Sequence, residues 1–445
     1  MDLLTCDVKK TYLKFFFATF GSALIASIYA LVDMAMVGQY YGPIGTSAIA
    51  IVSPIWNIIY SLGLLIGIGA SILYSVCKGE KKDNPNIYFS SAIVYGIIVS
   101  ILLYIVIWLK EDSLLKFFGG TDETIPLAKK YMLPIKYSIP LFVFAQILSS
   151  FLRNDNAPRL ATIGVVIGGV FNIFGDYLLV FTFDLGIIGA GIATCLCSFV
   201  SLIVMSTHFL NKNNSLAVFI NGEVFKPIFK IFINGFPSFI IDLSMGILTI
   251  IYNRQIIKYF DNDVLSIYGI IINISTLVQC CSYGIGEASQ PLVSQNFGAK
   301  KYDRINKVLK YLIVTSFIVG GVWVAISLAM PNVLVRIFMK PTDRVLMLAP
   351  KIIRLYSISF ILLPLNVSSM LYFQSILKSK ISLIISLARG VFISGILLLV
   401  LPLINKELIW ITMVLTETIV SIFVFLILFI SEKQFKKQID KEALL

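Results

Sequence analysis

The sequence predicts an all-α integral membrane protein, with twelve transmembrane helices in two six-helix bundles related by a pseudo-two-fold axis along the membrane normal. Three observations carry this reading. The 445 residues are 58% hydrophobic and only 13% charged, with a mean hydropathy of +0.90, which leaves too little polar surface for a water-soluble domain. Apolar stretches of roughly 20 residues or more recur along the whole length, each long enough to cross about 30 Å of hydrocarbon. The first half of the chain also recurs in the second at a fixed offset of 219.

The twelve stretches fall at about 14–38, 47–77, 87–109, 127–152, 159–181, 186–210, 227–258, 264–297, 308–331, 346–377, 381–404 and 407–430. Each reads as a helix, because backbone exposed to lipid must satisfy its own hydrogen bonds. The longer ones tilt or extend past the headgroups. The first follows Lys9 and Lys10 but has no A-x-A-like cleavage site, so it is expected to persist as span 1. With the N-terminus placed in the cytoplasm, inside segments hold 22 of the 36 Lys and Arg, outside segments hold 13, and Arg389 lies within span 11. That bias predicts a multi-pass protein of the plasma membrane with both termini cytoplasmic. It also makes the net charge of +12 a matter of topology and anionic lipid, with no nucleic-acid partner. The six cysteines have neither zinc spacing nor a disulfide pattern and read as packing residues.

The repeat is clearest between residues 39–82 and 258–301, where Tyr40 meets Tyr259, Ser47 meets Ser266, Gly67 meets Gly286 and Lys81–Lys82 meet Lys300–Lys301. Six spans per copy is an even number, so both copies enter from the same side, as in transporters built of parallel repeats. The expected organisation is an N-lobe over 1–210, a cytoplasmic linker over 211–226, a C-lobe over 227–431 and a cytoplasmic tail over 432–445, with a cleft between the lobes.

Five acids lie well inside spans: Asp33, Asp176, Asp242, Glu287 and Glu417. A carboxylate at mid-bilayer costs about 2.5–3.5 kcal/mol on insertion scales, so it tends to face a cavity and to have a function. Asp33 is about five residues, or roughly 7.5 Å, from the outer end of span 1 at Gly38, and Asp176 is equally deep in span 5. Asn172 is one turn deeper on the same face, and Thr194 lies roughly 12 Å down span 6. Two carboxylates, an amide and a hydroxyl in one layer offer hard oxygen ligands and titratable groups. They suit Na⁺ or a proton, and suit zinc or copper poorly. At the repeat offset Tyr252 stands opposite Asp33, and the spans matching 5 and 6 lack an Asn-x-x-x-Asp pattern, so the set belongs to the first half alone. A shared structural proton or a helix cap is the alternative use of these acids.

The stretches LVDMAMVGQYYG, NGFPSF opening span 7 and GIGEASQPLVSQNFGA closing span 8 resemble the multidrug and toxic compound extrusion (MATE) family, bacterial multidrug-exporter branch, and the resemblance extends over essentially the whole chain. It implies two six-helix bundles forming a V-shaped cleft, with amphipathic organic cations exchanged for Na⁺ or H⁺. It also implies that Asp33, Asn172, Asp176 and Thr194 form the coupling-cation site, which would be the Na⁺ site if the exchange is sodium-driven. Organic-cation drugs and dyes and the bilayer are the expected partners, the working unit is a monomer, and no cofactor is expected beyond the coupling ion. One departure from the pattern is the span 7 glutamate of some relatives, whose position here holds Ser244 or Met245.

Asp242, Glu287, Met34, Gln146, Tyr137 and Tyr283 are the candidate substrate-cleft residues, with Trp56 and Phe151 as further aromatic candidates. Asp242 either meets a drug cation or pairs with Arg389, and Glu287 either lines the cleft or is a solvated acid beside the basic 300–310 loop. An enzyme is excluded: the single histidine, His208, has no HExxH context, and no G-x-S-x-G, Walker or dinucleotide fingerprint occurs. A flippase of lipid-linked oligosaccharides, from the same superfamily, is the rival reading. Such a cargo calls for a cationic cleft, whereas the spans here carry acids opposed only by Arg389.

Overall fold

The computed structural model describes residues 3–81, 84–212, 214–219, 221–339 and 341–443. Regular structure among them is helical throughout, with no strand. The first half holds α1 (Val8–Tyr41), α2 (Pro43–Gly79), α3 (Asn86–Phe117), α4 (Thr124–Asn154), α5 (Pro158–Asp176) and α6 (Gly186–Ser206). The second holds α7 (Ile228–Tyr259), α8 (Asn262–Gly298), α9 (Tyr302–Ala329), α10 (Pro331–Phe338), α11 (Asp343–Ser357), α12 (Leu363–Ser375), α13 (Ser379–Leu387), α14 (Ile393–Ile404) and α15 (Thr412–Ala443). Among the described residues eleven helical runs are long and apolar enough to span a membrane, and α1, at 34 residues, makes the twelfth.

The spans are less uniform than the hydropathy suggests. Span 5 runs on from Asp176 as a π-helical turn, Tyr177–Thr182, and span 11 contains another at Ala388–Phe392. Span 10 is broken by a 3₁₀ turn at Ile358–Ile361, and Pro364 stands in the first turn of α12, where its missing N–H costs nothing. Pro134 and Pro140 both lie inside a continuous α4. The amphipathic α10 fills the connection between spans 9 and 10 and buries Leu334 and Val335. The expected tail at 432–445 opens as helix, because α15 continues to Ala443. Residues 1, 2, 444 and 445 of the expected lobe and tail lie outside the described residues.

The chain packs as two compact units. One comprises Phe17–Phe239, and the other comprises Ile240 onward together with the chain up to Phe16. The packing boundary thus falls inside α7, whereas the connection between the halves is at 211–226. That connection is itself packed on the first unit. Leu216 and Val224 are buried, and the Ser91 and Tyr95 hydroxyls donate to the Val224 carbonyl at 2.6 and 2.9 Å. The first turns of α7 join the first unit because Gly235 permits backbone contact: a Cβ there would lie 1.9 Å from the Leu65 carbonyl oxygen of α2. The chain up to Phe16 joins the second unit through Arg304, which donates to the carbonyls of Leu3 and Cys6 at 3.0 and 2.7 Å. Tyr12, bonded to Thr315 at 2.6 Å, adds to that attachment. Within the first unit, Phe151 is fully buried against Tyr74 and Phe89. It is a core residue and does not line a cleft.

Candidate functional site

Helix α1 is fastened to span 5 along its length. Thr162 of α5 donates to the Ala18 carbonyl at 2.8 Å, and Tyr29 sits over Gly169, where a Cβ would approach its ring to 3.0 Å. Tyr40 bonds Asp184 beyond the π turn and packs on Phe181 at 5.9 Å. Between these attachments Asp33 points inward and is 7% exposed. The Tyr131 hydroxyl of α4 donates to Asp33 Oδ2 at 2.7 Å. Tyr131 reaches this point because α6 has Gly191 at the crossing, where a Cβ would lie 2.5 Å from the Tyr131 carbonyl oxygen and 2.7 Å from Pro134.

Asp176 ends α5 just before the π turn and is 0% exposed, and Asn172 one turn below is 1% exposed. The Asp33 charge acts on Asp176, and Tyr131 lies within reach of Thr194 and of the Asp176 charge. Asp33, Asp176 and Thr194 therefore gather around one tyrosine, and Asn172 lies one turn from Asp176 on α5. Thr194 spends its proton on the Ala190 carbonyl at 3.0 Å, so its oxygen keeps accepting capacity. The depth assigned to Asp33 needs revision. Helix α1 runs to Tyr41, which puts Asp33 eight residues, or about 12 Å, from its end, the same depth as Thr194 below Gly186.

Five buried polar atoms in this layer have no hydrogen-bond partner among the described residues: Asp33 Oδ1, both Asp176 carboxylate oxygens and both Asn172 amide atoms. Native interiors rarely leave such groups unpaired, since each costs about 1–3 kcal/mol. Asp33 Oδ1, Asp176 Oδ1 and Oδ2, Asn172 Oδ1 and Thr194 Oγ1 are hard oxygen acceptors. The set fits Na⁺ or a proton. Tyr131 is the residue that sequence reasoning missed. It lies seven residues, roughly 10 Å, below the start of α4, so the depth arithmetic applied to spans 1, 5 and 6 would have found it in span 4.

The second unit treats its buried acid differently. Glu417 is fully buried, yet both carboxylate oxygens are filled: Arg389 Nε donates to Oε1 at 2.6 Å and Asn366 Nδ2 to Oε2 at 2.7 Å. Arg389 also donates to Gln279 Oε1 at 3.3 Å. Of the two partners considered for Asp242, Arg389 is thus taken by Glu417, and Asp242 accepts instead from the Tyr283 hydroxyl at 2.9 Å. Arg389 is also not the only cation within the spans. Lys136, counted above with the outside residues, is buried in α4. It pairs with Glu111 at 2.9 Å and lies over the Trp108 ring at 4.9 Å.

The remaining candidates separate. Gln146 packs on Gly63 of α2, and Trp56 sets its edge on Phe142 at 4.3 Å. Glu287 is half-buried. Tyr137 is 60% exposed and Met34 40% exposed, and Tyr137 clusters with Tyr104 and Trp108. Ser244, which with Met245 stands at the span 7 position where a glutamate was looked for, is packed so closely that a Cβ on Gly390 would lie 2.3 Å from it. The single histidine, His208, bonds Asp155 Oδ2 at 2.8 Å. Asp155 also accepts from Lys78 at 2.8 Å, from Tyr74 at 3.0 Å and from the Ser215 backbone at 3.0 Å.

A family model described as MatE matches residues 18–178 and 237–401, one stretch in each half. The chain belongs to the MATE family. Among its relatives are the multidrug export protein MepA of Staphylococcus saprophyticus, 26% identical over 71% of this chain and 70% of that one, and MepA of Staphylococcus aureus strain NCTC 8325, 28% identical over 69% and 68%. Two solved structures share the fold over 98% of both chains. One is an outward-facing multidrug resistance MATE transporter, with a TM-score of 0.89 at 21% identity. The other is a MATE protein in its straight conformation, with a TM-score of 0.90 at 20% identity. As a MATE protein the chain is a multi-pass membrane transporter, and its acidic layer sits wholly within the first of the two matched stretches, apart from Thr194.

Proposed function

We propose that the chain is a secondary active multidrug exporter that exchanges amphipathic organic cations for Na⁺ or H⁺ across the plasma membrane, with both termini cytoplasmic. Asp33, Asn172, Asp176 and Thr194 bind the coupling cation, and Tyr131 holds Asp33 in place. The observation that carries this reading is the set of five unpaired polar atoms around two mutually interacting carboxylates. Elsewhere in the spans Glu417 has both oxygens bonded, by Arg389 and Asn366, whereas Glu111 and Asp242 each leave a single oxygen without a partner. Two ionised carboxylates so placed repel in a low dielectric, and a bound cation relieves that repulsion. The multidrug export for which the MepA relatives are named supports the export of drugs. The pairing of Arg389 and Lys136 with acids speaks against a cationic cleft for pyrophosphate-linked lipids.

Ethidium efflux from inverted membrane vesicles, with a Na⁺ gradient and a pH gradient imposed separately, tests the reading. Wild type responds to at least one gradient, and Asp33→Asn loses the response at unchanged expression. Near-normal gradient-driven efflux by well-inserted Asp33→Asn would contradict it.

A further inference from the structure

Helices α5 and α6 run antiparallel and meet at glycines. A Cβ on Gly164 would lie 2.7 Å from Met205 Cγ, one on Gly168 would lie 2.0 Å from Ser201 Oγ, and one on Gly175 would lie 3.1 Å from Ala193 Cβ. This register brings Asn172, one turn beyond Gly168, level with Cys197, one turn before Ser201. Ala193, Cys197 and Ser201 are spaced by four residues, so Cys197 shares the α6 face that meets α5. It lies one turn along α6 from Thr194, is 7% exposed, and the Asp176 charge acts on its thiol. We propose that Cys197 is a soft donor at the floor of the acidic layer, and that soft monovalent metal cations of the Ag⁺ and Cu⁺ class bind there between its sulfur and the Asn172 amide oxygen. This rests on reading the layer as the coupling-cation site.

The groups facing the cysteine point to a ligand independently of it. Asn172 is 1% exposed with neither amide atom partnered, and Asp176 is 0% exposed with neither carboxylate oxygen partnered. Buried polar groups in native interiors are normally bonded, so these call for an occupant. The number and kind of donors select the metal. Among the described residues no three of His, Cys, Asp and Glu cluster closely enough to hold a metal ion, so a tetrahedral zinc site is out of reach. Ag⁺ and Cu⁺ are satisfied by two donors and prefer sulfur to oxygen.

Binding balances without any redox partner. The Sγ–Ag bond forms as the S–H bond breaks, the S–H electron pair stays on sulfur, and the proton passes to an open carboxylate oxygen of Asp176. The layer gains one positive charge, as it does when one Na⁺ or one proton binds. Silver therefore puts the layer in its cation-loaded charge state, and the metal–sulfur bond holds it there. The exchange cycle, which requires the cation to leave, stops.

The test has two readouts. One is the Ag⁺ concentration that half-inhibits ethidium efflux from inverted vesicles in chloride-free buffer. The other is the silver bound per chain by the purified full-length protein in detergent. Cys197→Ser should raise the half-inhibiting concentration at least about tenfold, since loss of even an outer-shell partner of a metal costs roughly 10–100-fold. It should also bind less silver than wild type, by one ion per chain. Cys195→Ser, whose thiol is turned to Ser138 of α4, should leave the half-inhibiting concentration as in wild type. Should Cys197→Ser fold poorly, Cys197→Ala keeps the apolar packing and should give the same two losses. Unchanged silver sensitivity or unchanged silver content in a folded Cys197 variant would overturn the proposal. Silver content is read without any gradient, so it judges Cys197 even where Asp33→Asn keeps its ion response and the coupling reading falls.

Discussion

The Tyr131 hydroxyl donates to Asp33 Oδ2 at 2.7 Å, joining α4 to α1 inside the first unit. Asp33 keeps its other oxygen, Oδ1, without a protein partner. A tyrosine that fills one oxygen and leaves one open holds a carboxylate in position without satisfying it. Tyr131→Phe removes a charge-assisted bond of about 1.5–3 kcal/mol. The expected outcome is a roughly tenfold or larger change in the ion concentration that half-saturates ethidium efflux, at unchanged protein level. Ion titration of vesicle efflux checks this, and an unchanged midpoint would remove Tyr131 from the site.

Gly191 sets the approach of α4 to α6. Any Cβ there collides with the Tyr131 backbone carbonyl and with Pro134, neither of which can swing away. Gly191→Ala should therefore cost about 1–3 kcal/mol of stability and impair efflux by displacing Tyr131. The same change at Gly222, where a Cβ meets nothing within 4 Å, should leave thermal unfolding in detergent unaffected and so provides the control.

Asp155 gives a pH dependence of stability. Burial alone would push its carboxyl up, but the His208, Lys78 and Ser215 contacts outweigh that and hold it well below the usual carboxylate range. A folded value below the unfolded one, about 3.9, means the stabilisation is present above that pH and is lost as the pH falls through the folded value. Unfolding temperature should decline below about pH 4 in wild type. Asp155→Asn should be less stable at neutral pH and show a shallower decline.

Glu417 and Arg389 form a buried pair whose members depend on each other. Glu417→Gln or Arg389→Gln alone strands a buried charge and should destabilise by about 3–5 kcal/mol. The double variant should cost clearly less than the sum of the two. Thermal unfolding of the four proteins closes this cycle, and additive effects would show that the pair is not coupled.

The twelve spans and the residues of the acidic layer were legible because lipid imposes a simple rule on length and because charge inside apolar helices is costly. What the sequence concealed was partnership across distance. Tyr131 is 98 positions from Asp33, and only its depth in span 4, with no motif, sets it apart from Tyr137, which lies on the exposed face. Asp242 had Arg389 as a possible partner, and only packing gave Arg389 to Glu417. Lys136 looked like an interfacial charge, since hydropathy does not show that Glu111 and Trp108 shelter it. The packing boundary at Phe239 was hidden for a related reason: a glycine contact such as Gly235 on Leu65 leaves no periodic signal.

The central claim is that one buried acidic layer links cation binding to drug binding. The direct measurement is ethidium affinity in detergent, titrated against Na⁺ and against pH at fixed ionic strength, for wild type and Asp176→Asn. By linkage, a cation that weakens dye binding must itself be bound less tightly in the presence of dye, by the same factor. The account predicts that wild-type affinity falls as Na⁺ or H⁺ rises, and that Asp176→Asn flattens this dependence. Wild-type affinity that ignores both ions would contradict it.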